Sequence, residues 1–464
     1  ELIEYAMEDV RYLPKLWDDL KDQWPEMERE VSDMAIRMKY RGLPINATKL
    51  DKSIKDLGKK MMEFEDAIPW WDRETAKNKT PLSPLELAKE CKRVGIPAPT
   101  SRAKDNADAI EWQEKYGKEH EFVSAMGNWN SANTLIQKLI TMRDRVIFPD
   151  SGDWAYPNAE LEWVDGNQAW MPFGMKYCGA HTRRDAGADR WNVLNMNRSE
   201  VFGVNIRSHI HAPEGFKFIS ADYSQIEPRV LAWLVDDEEF LDRVRAGEDP
   251  YVTFGKVTLG HQGEWTSADR TIWKVMVLQL GYQSGWKKFQ KIADTKYNLK
   301  LTNLEAKRLV TQYRSRNRKV VKFWATLEKQ VRSCLQSRGG TGTCEIDLPS
   351  GAVQYYRDLA GSASLKATFA QEHGFRPGHI YGGLLCENVT SSIARDCMMD
   401  GYYRIEKAGI PIVLRIYDEF LALVREEEAE EKKELLEQIM NTPPEWAPDL
   451  PIAAEANIID FYTK

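Results

Sequence analysis

The order of hydrophobic patterns along this chain of 464 residues predicts an α+β fold in which a helical domain interrupts a sheet. Three observations support the prediction. Residues 1–66 place apolar side chains mainly at helical spacing. Strand-like runs occupy residues 217–221 and 410–423, and residues 238–335 between them follow an almost entirely helical pattern. About two to four subdomains are expected, because a chain of this length exceeds one compact core.

Helix breaks and caps define the elements in the first third of the chain. The run Arg41-Gly42-Leu43-Pro44 ends the first helical region, and Asn46 is a typical N-cap for the next helix. Residues 67–110 contain several prolines and enclose one short helix, whose predicted start is Ser83-Pro84. Residues 120–145 are predicted to form a helix, and residues 146–170 are predicted to contain strands.

Composition excludes several classes of protein. Hydrophobic residues make up 42% of the chain and charged residues 29%, which is typical of a globular protein. No apolar run is long enough to cross a membrane, the first residues do not resemble a signal peptide, and the six cysteines form no C-x-x-C pair. We therefore expect a cytoplasmic protein with reduced thiols.

Charge is distributed unevenly along the chain. The net charge is −7, yet residues 269–338 contain 17 Lys and Arg against 4 Asp and Glu, with aromatic residues interleaved. A local basic block attracts phosphates, and aromatic rings stack on bases, so this block predicts contact with nucleic acid. The alternative is a solvated helical face without a partner.

Acidic residues follow two of the strand-like runs. Asp222 comes directly after an apolar run and precedes Glu227 by five residues, while Asp418-Glu419 lies between two apolar runs and predicts the turn of a hairpin. Two aspartates displayed by neighbouring strands could hold two Mg²⁺ ions about 4 Å apart, as in enzymes of in-line displacement at phosphorus. Taken singly, each acid is also explained as a cap or turn residue.

The helical centre carries a regular stripe of four residues: Arg270, Lys274, Leu278 and Tyr282. Because they are spaced by four, they should lie along one slowly drifting face of a helix. The cations would hold phosphates, and the apolar and aromatic groups would contact sugar and base. The alternative is a helix whose basic side chains merely extend to solvent.

The three groups, in this order, resemble the motifs of family A DNA polymerases, the DNA polymerase I-like enzymes, in their bacteriophage form. DYSQIEPR at residues 222–229 resembles motif A, Arg270-x3-Lys274-x7-Tyr282 motif B, and Tyr417-Asp418-Glu419 motif C. Further matches lie at residues 179–184, 192–198 and 381–388. Gln283 departs from the family, which has glycine there.

The resemblance implies a right-hand polymerase with an antiparallel palm sheet and helical fingers and thumb. The implied domains are a remnant of a 3′–5′ exonuclease (1–24), the thumb (25–150), the first part of the palm (151–232), the fingers (233–374) and the second part of the palm (375–464). Tyr5 and Asp9 resemble the last exonuclease motif, and without the family's upstream acids this chain is not expected to proofread.

The resemblance also implies roles for the matching residues in template-directed nucleotidyl transfer. Asp222 and Asp418 would bind the two Mg²⁺ ions, for which Mn²⁺ is a substitute, with the Tyr223 carbonyl as an added ligand. Lys274 would act as general acid toward pyrophosphate. The implied catalytic residues are Asp222, Asp418, Glu419 and Lys274.

Substrate contacts are implied in the same way. The nucleotide-binding residues would be Arg270, Lys274, Tyr282, Glu227, Tyr223, Gln225 and Leu278, with Glu227 and Tyr282 forming a steric gate beneath the sugar. The DNA-binding residues would be Arg184, Asn195, Arg198, Arg229, Glu387 and Tyr417. Expected partners of this monomer are primer–template DNA, dNTPs, an upstream or separate exonuclease domain and replisome proteins, in the cytoplasm of an infected bacterium.

Two alternatives remain. A single-subunit RNA polymerase shares the hand and similar motifs, although a gate at Glu227 is the opposite of what rNTP use requires. A catalytically silent DNA-binding clamp would bind duplex DNA whether or not Asp222 is present. Primer extension with dNTPs and rNTPs separates all three.

Overall fold

The computed structural model describes residues 11, 13–72, 80–101, 106–148, 168–189, 191–337, 342–361, 364–371 and 374–463. The predicted exonuclease remnant at Tyr5 and Asp9, and most of the strands expected in residues 146–170, lie outside the described residues. The chain divides into two compact units. The first comprises Glu1–Lys39, Met175–Gly187 and Lys217–Ile458, and the second comprises Tyr40–Gly174, Ala188–Phe216 and Ile459–Lys464.

Helices and strands together confirm the α+β class. The helices are α1 (Leu13–Leu20), α2 (Glu26–Arg41), α3 (Ala47–Asp66), α4 (Pro84–Val94), α5 (Ala107–Tyr116), α6 (Glu121–Arg143), α7 (Ile226–Leu234), α8 (Glu238–Arg245), α9 (Pro250–Thr253), α10 (Ser267–Leu280), α11 (Trp286–Tyr297), α12 (Asn303–Arg316), α13 (Arg318–Ser337), α14 (Gly382–Lys407) and α15 (Ala429–Met440). The strands are β1 (Leu43–Pro44), β2 (Trp170–Met171), β3 (Met175–Lys176), β4 (Ala186–Gly187), β5 (Phe216–Tyr223), β6 (Cys344–Asp347), β7 (Val353–Ala360), β8 (Leu365–Gln371), β9 (Gly374–Ile380), β10 (Ile412–Ile416), β11 (Glu419–Arg425) and β12 (Ala454–Ile459).

The first unit contains a four-stranded sheet in the order β10-β11-β5-β12. The predicted strand at 217–221 is β5, and the predicted hairpin is β10–β11, which pair antiparallel. The inner strands are apolar on both faces: Phe218, Ile219 and Phe420 have no solvent exposure. Helix α14 contacts β10 and is buried along most of its length. An apolar, doubly covered sheet of this kind holds the strand ends rigidly.

The first unit also contains a second four-stranded sheet that the sequence analysis did not identify. Strands β6 to β9 pair in chain order, each antiparallel to the next. Strand β6 alternates buried and exposed residues, as a half-covered strand should. The alternation extends over only four residues before Pro349-Ser350-Gly351, which is too short to identify a strand by pattern alone.

The second unit is mainly helical. Helix α3 packs on α6, and an apolar cluster including Ile68, Leu87 and Phe122 lies between α4 and α6. The predicted caps are confirmed, since Asn46 accepts a hydrogen bond from the Lys49 amide at 2.9 Å and Ser83 from the Glu86 amide at 3.4 Å. The loop-rich segment holds the start of a second helix, α5, which was not predicted. Of the helices in the described part of the chain, none is long and apolar enough to cross a membrane.

Candidate active site

The two predicted aspartates lie at the same edge of the first sheet. Asp222 is the last residue but one of β5, and Asp418 lies in the two-residue turn between β10 and β11. The backbone N–H of Tyr223 donates to the Asp418 carbonyl at 3.0 Å, which joins the strand end to the turn. Tyr417 begins that turn with φ 55°, in the left-handed region that non-glycine residues rarely adopt. The sheet therefore brings together acids that are almost two hundred residues apart in sequence.

The Asp418 carboxyl is electrostatically perturbed. Burial raises its pKa to about 6, and the negative charges of Asp222 and Glu227 add to the effect, while Arg184 opposes it. The neighbouring Glu419 is buried and accepts a hydrogen bond from the Ser220 hydroxyl at 3.0 Å. Glu419 is thus held inside the sheet, whereas Asp418 and Asp222 are partly accessible.

The donor set at this edge suits a hard cation. It consists of oxygen atoms from the Asp222 and Asp418 carboxylates and the Tyr223 carbonyl, the ligand type that Mg²⁺ prefers. The raised pKa of Asp418 reflects burial and crowded negative charge, which a bound cation would relieve. In the part of the chain that the structure describes, no three His, Cys, Asp or Glu side chains form a group that could hold a metal ion by themselves. A metal here would need further ligands from water or substrate.

Glu227 lies in the first turn of α7 and accepts hydrogen bonds from three different elements. Tyr282 Oη donates to Oε2 at 3.1 Å, while Arg184 Nη2 and Ser391 Oγ donate to Oε1 at 2.7 and 3.0 Å. The Tyr282 hydroxyl is buried, and burial raises its pKa well above the ordinary value, so it stays a donor. The carboxylate is therefore fixed in position and plane.

Arg184 reaches Glu227 from the connection between β3 and β4, which buried ion pairs hold on both sides. Arg183 pairs with Asp396 of α14 at 2.8 Å. Asp185 accepts two hydrogen bonds, at 2.8 and 3.1 Å, from Arg415 of β10. Bidentate pairs of this kind fix geometry strongly.

The predicted stripe of four residues is only partly helical. Helix α10 ends at Leu280, so Tyr282 lies in the turn beyond it rather than on the helix, which corrects the sequence expectation. Arg270 and Lys274 both lie over the ring of Tyr251, at 5.2 and 5.9 Å from its centroid. Leu278 is half-buried on the same helix. Two cations supported by one aromatic ring form a compact site for an anion.

Asp249 is a residue of this region that the sequence analysis missed. One carboxylate oxygen caps α9 by accepting the amides of Tyr251 and Val252, and the other accepts from Arg270 Nη2 at 2.6 Å. Its sequence context, Asp before Pro at the start of a helix, predicts only the cap. The ion pair with Arg270 depends on a contact across 21 residues.

Gln283 and Gly383 explain how the turn after α10 packs on α14. Gln283 adopts φ 63°, in the left-handed region that glycine adopts most readily. Its side-chain oxygen accepts the Gly383 amide at 2.8 Å. A Cβ on Gly383 would lie 2.5 Å from the Tyr282 carbonyl oxygen, so only glycine fits.

The remaining predicted site residues fall into separate places. Gln225 precedes α7 with φ 46°, Tyr417 is 44% exposed, and Glu387 is half-buried on α14, where burial and then Glu227 raise its pKa. Arg229 is buried: its guanidinium donates to the Ser224 and Pro451 carbonyls, both at 2.8 Å, and burial lowers its pKa to about 10.

Asn195 and Arg198 are the two predicted DNA-binding residues that belong to the second unit, where both are exposed. Asn195 closes the 3₁₀ turn Val193–Asn195, and the Arg198 carbonyl accepts from Asn205 at 3.2 Å.

Comparison with known proteins gives concordant matches. The family model described as DNA polymerase family A matches residues 187–339. The chain is 29% identical to the DNA polymerase of Bacillus phage SP02 over 57% of its own length and 44% of that protein. It is 26% identical to DNA polymerase I of Aquifex aeolicus (strain VF5), over 62% and 46%. It is 21% identical to the thermostable DNA polymerase I of Thermus filiformis, over 96% and 48%.

A solved structure shares the fold. The POL domain of Pol1 from M. smegmatis, in complex with DNA primer-template and dNTP, superimposes with a TM-score of 0.66 at 20% identity. The match covers 96% of this chain and 71% of that one. The chain spans a little under half the length of the three curated relatives.

Proposed function

We propose that this chain is a family A DNA polymerase, which copies a DNA template by transferring nucleotides from dNTPs to a primer 3′-hydroxyl. The single observation that best supports this is the meeting of Asp222 and Asp418 at one sheet edge, tied by the hydrogen bond from Tyr223 to the Asp418 carbonyl. A pair of carboxylates there, with a phosphate grip and a fixed sugar-facing acid in the same unit, suits phosphoryl transfer.

Asp222, Asp418 and the Tyr223 carbonyl would hold two Mg²⁺ ions, with Mn²⁺ as a substitute. When bound, the ions supply activation of the 3′-hydroxyl and neutralisation of charge on the triphosphate. The Asp222 and Asp418 carboxylates are partly accessible and could therefore reach the ions, while the supporting acid Glu419 is buried and fixed by Ser220. The rigid strand ends determine where the reacting groups meet.

Arg270 and Lys274 would bind the triphosphate. Both cations lie against the Tyr251 ring, which orients them without neutralising them. Lys274 has a proton to give to the leaving pyrophosphate, and Arg270 has a planar fork suited to the terminal phosphate. Arg270 must leave Asp249 to make that contact, since the two are paired at 2.6 Å.

Glu227 and Tyr282 would form the wall that excludes a ribose 2′-hydroxyl. The Tyr282 hydroxyl donates to the Glu227 carboxylate at 3.1 Å, so the two side chains form one unit. Neither can move without breaking a charge-assisted hydrogen bond, which is the kind worth most. The other predicted nucleotide contacts, Gln225 and Leu278, remain part of the proposal. So do the predicted DNA contacts except Arg229, whose guanidinium is buried against the Ser224 and Pro451 carbonyls.

The setting of the reaction follows from the relatives. The match to a Bacillus phage polymerase supports phage DNA replication in the cytoplasm of an infected bacterium. The domain assignment from the sequence is retained as a proposal, with the fingers at 233–374 between two parts of the palm, and the thumb at 25–150. Replisome proteins and an exonuclease domain are the further partners proposed for a monomeric polymerase.

Single-nucleotide incorporation on a primer–template with Mg²⁺ tests the proposal. Four templates that differ only in the next base should each direct incorporation of the complementary dNTP. Incorporation independent of the template base would refute template-directed synthesis. Preference for rNTPs would indicate an RNA polymerase, and duplex binding without incorporation would indicate a silent clamp.

A further inference from the structure

Ser391 contacts Glu227 from α14, a helix that carries no residue of motifs A, B or C. It lies on α14, is 4% exposed, and donates its hydroxyl to Glu227 Oε1 at 3.0 Å. A buried hydroxyl aimed at a carboxylate is costly to remove, because the acceptor loses a donor that water cannot readily replace. The contact therefore constrains Glu227 rather than merely filling space.

The two side chains that donate to Glu227 Oε1 differ in exposure and in how rigidly they are held. Arg184 has a long side chain that is 23% exposed, and it is itself proposed to contact primer–template DNA. Ser391 is short, buried and rigidly held by α14. If DNA draws Arg184 away, Ser391 is left as the donor that keeps Oε1 in place, while Tyr282 holds Oε2.

We propose that Ser391 is a positioning residue that fixes the Glu227 carboxylate and so sets how strongly the polymerase rejects ribonucleotides. The inference rests on the proposed function. A fixed Glu227 carboxylate excludes the 2′-hydroxyl of a ribonucleotide because it cannot move out of the way. A carboxylate free to rotate accommodates that hydroxyl at a lower free-energy cost. Selectivity would then depend on a serine outside the three motifs.

The neighbouring Ser392 offers a matched control. It is on the same helix and fully buried, but its hydroxyl lies 3.1 Å from the Thr182 carbonyl and 2.8 Å from Gln354 Oε1, away from Glu227. Ser392→Ala removes the same atom from the same kind of environment. Any loss of selectivity caused only by loosening α14 should appear in this variant too.

The test is kcat/KM for matched dNTP and rNTP incorporation by wild type, Ser391→Ala, Ser391→Thr and Ser392→Ala. Loss of one hydrogen bond to a charged group should lower the dNTP/rNTP ratio about tenfold in Ser391→Ala. Ser391→Thr, which restores the hydroxyl, should recover most of the ratio, and Ser392→Ala should leave it unchanged.

Two results overturn the inference: an unchanged ratio in Ser391→Ala, or an equal fall in Ser392→Ala. Either can occur while wild type extends primers with dNTPs, and then only the role of Ser391 is refuted. Absence of dNTP incorporation by wild type would instead refute the proposed function. Thermal melting of each variant shows whether a changed ratio comes from a folded enzyme.

Discussion

Replacing Glu28 by Gln should strongly destabilise the first unit. The Glu28 carboxylate is 13% exposed and accepts hydrogen bonds from Arg395, Arg183 and Tyr177. Arg395 is almost completely buried and also pairs with Asp396 at 3.1 Å. The group thus contains two cations and two anions, and the substitution leaves the buried Arg395 and the 16% exposed Arg183 with one carboxylate.

The expected magnitude follows from burial. Removing one partner of a buried ion pair costs about 3–5 kcal/mol, because the remaining charge is desolvated without compensation. With a urea m-value of about 3 kcal/mol per M, the unfolding midpoint should fall by about 1 M or more. Glu30→Gln on the same helix is the matched control. Glu30 pairs with Lys407, but the two side chains are 33% and 52% exposed, so the loss should stay below about 1 kcal/mol.

The pH dependence gives a second readout of the same group. Burial alone would raise the pKa of Glu28, but hydrogen bonds and charge from Arg395 outweigh it and the pKa is lowered from its ordinary 4.5. The stabilisation is therefore present above pH 4.5 and is lost as the pH falls through the lowered value. The gap between wild type and Glu28→Gln in urea unfolding should shrink in acid. Equal midpoints at neutral pH, or a Glu30→Gln loss as large, would refute the reasoning.

Two further predictions concern charge in the first unit. Asp249→Asn keeps the oxygen that caps α9 but removes the ion pair with Arg270. Because an ion pair this exposed is worth at most about 1 kcal/mol, the KM for dNTP in steady-state incorporation should fall by up to about fivefold. An unchanged or higher KM would contradict this prediction. Burial holds the pKa of His181 at about 4 instead of 6.5, so the folded state should lose up to about 3 kcal/mol through this group as the pH falls from 6.5 to 4. In His181→Gln, urea unfolding across that range should show a shallower pH dependence, and an unchanged slope would count against it.

Local patterns made part of this molecule predictable. The strand β5, the hairpin β10–β11 and the cap at Asn46 each depend on residues close together in sequence, and the structure confirms them. The right-hand fold was predicted from the order of three motifs. A resemblance to a family predicts which distant segments meet, and hydrophobic periodicity does not. The small sheet β6–β9 was missed because its first strand is short and its pairing depends on partners further along the chain.

The contacts that define the site were less accessible to sequence reasoning. Ser391 and Glu227 are 164 residues apart, and nothing in the context of either serine on α14 distinguishes Ser391 from Ser392. Arg229 is a second residue whose environment could not be predicted from the sequence. A sequence cannot distinguish an exposed arginine from one buried against backbone carbonyls, since Pro451, one of its two partners, is 222 residues away.

The role of the paired aspartates is tested most directly by the Mg²⁺-dependent rate of single dNTP incorporation in Asp418→Asn. Since metal-held charge stabilisation is worth several kcal/mol, the rate should fall at least about a thousandfold from wild type. The exposed Asp347→Asn on β6 serves as the matched control and should keep the wild-type rate. A fall of less than about tenfold in Asp418→Asn, with the protein folded and bound to primer–template, would contradict the assignment of Asp418 to the reacting centre.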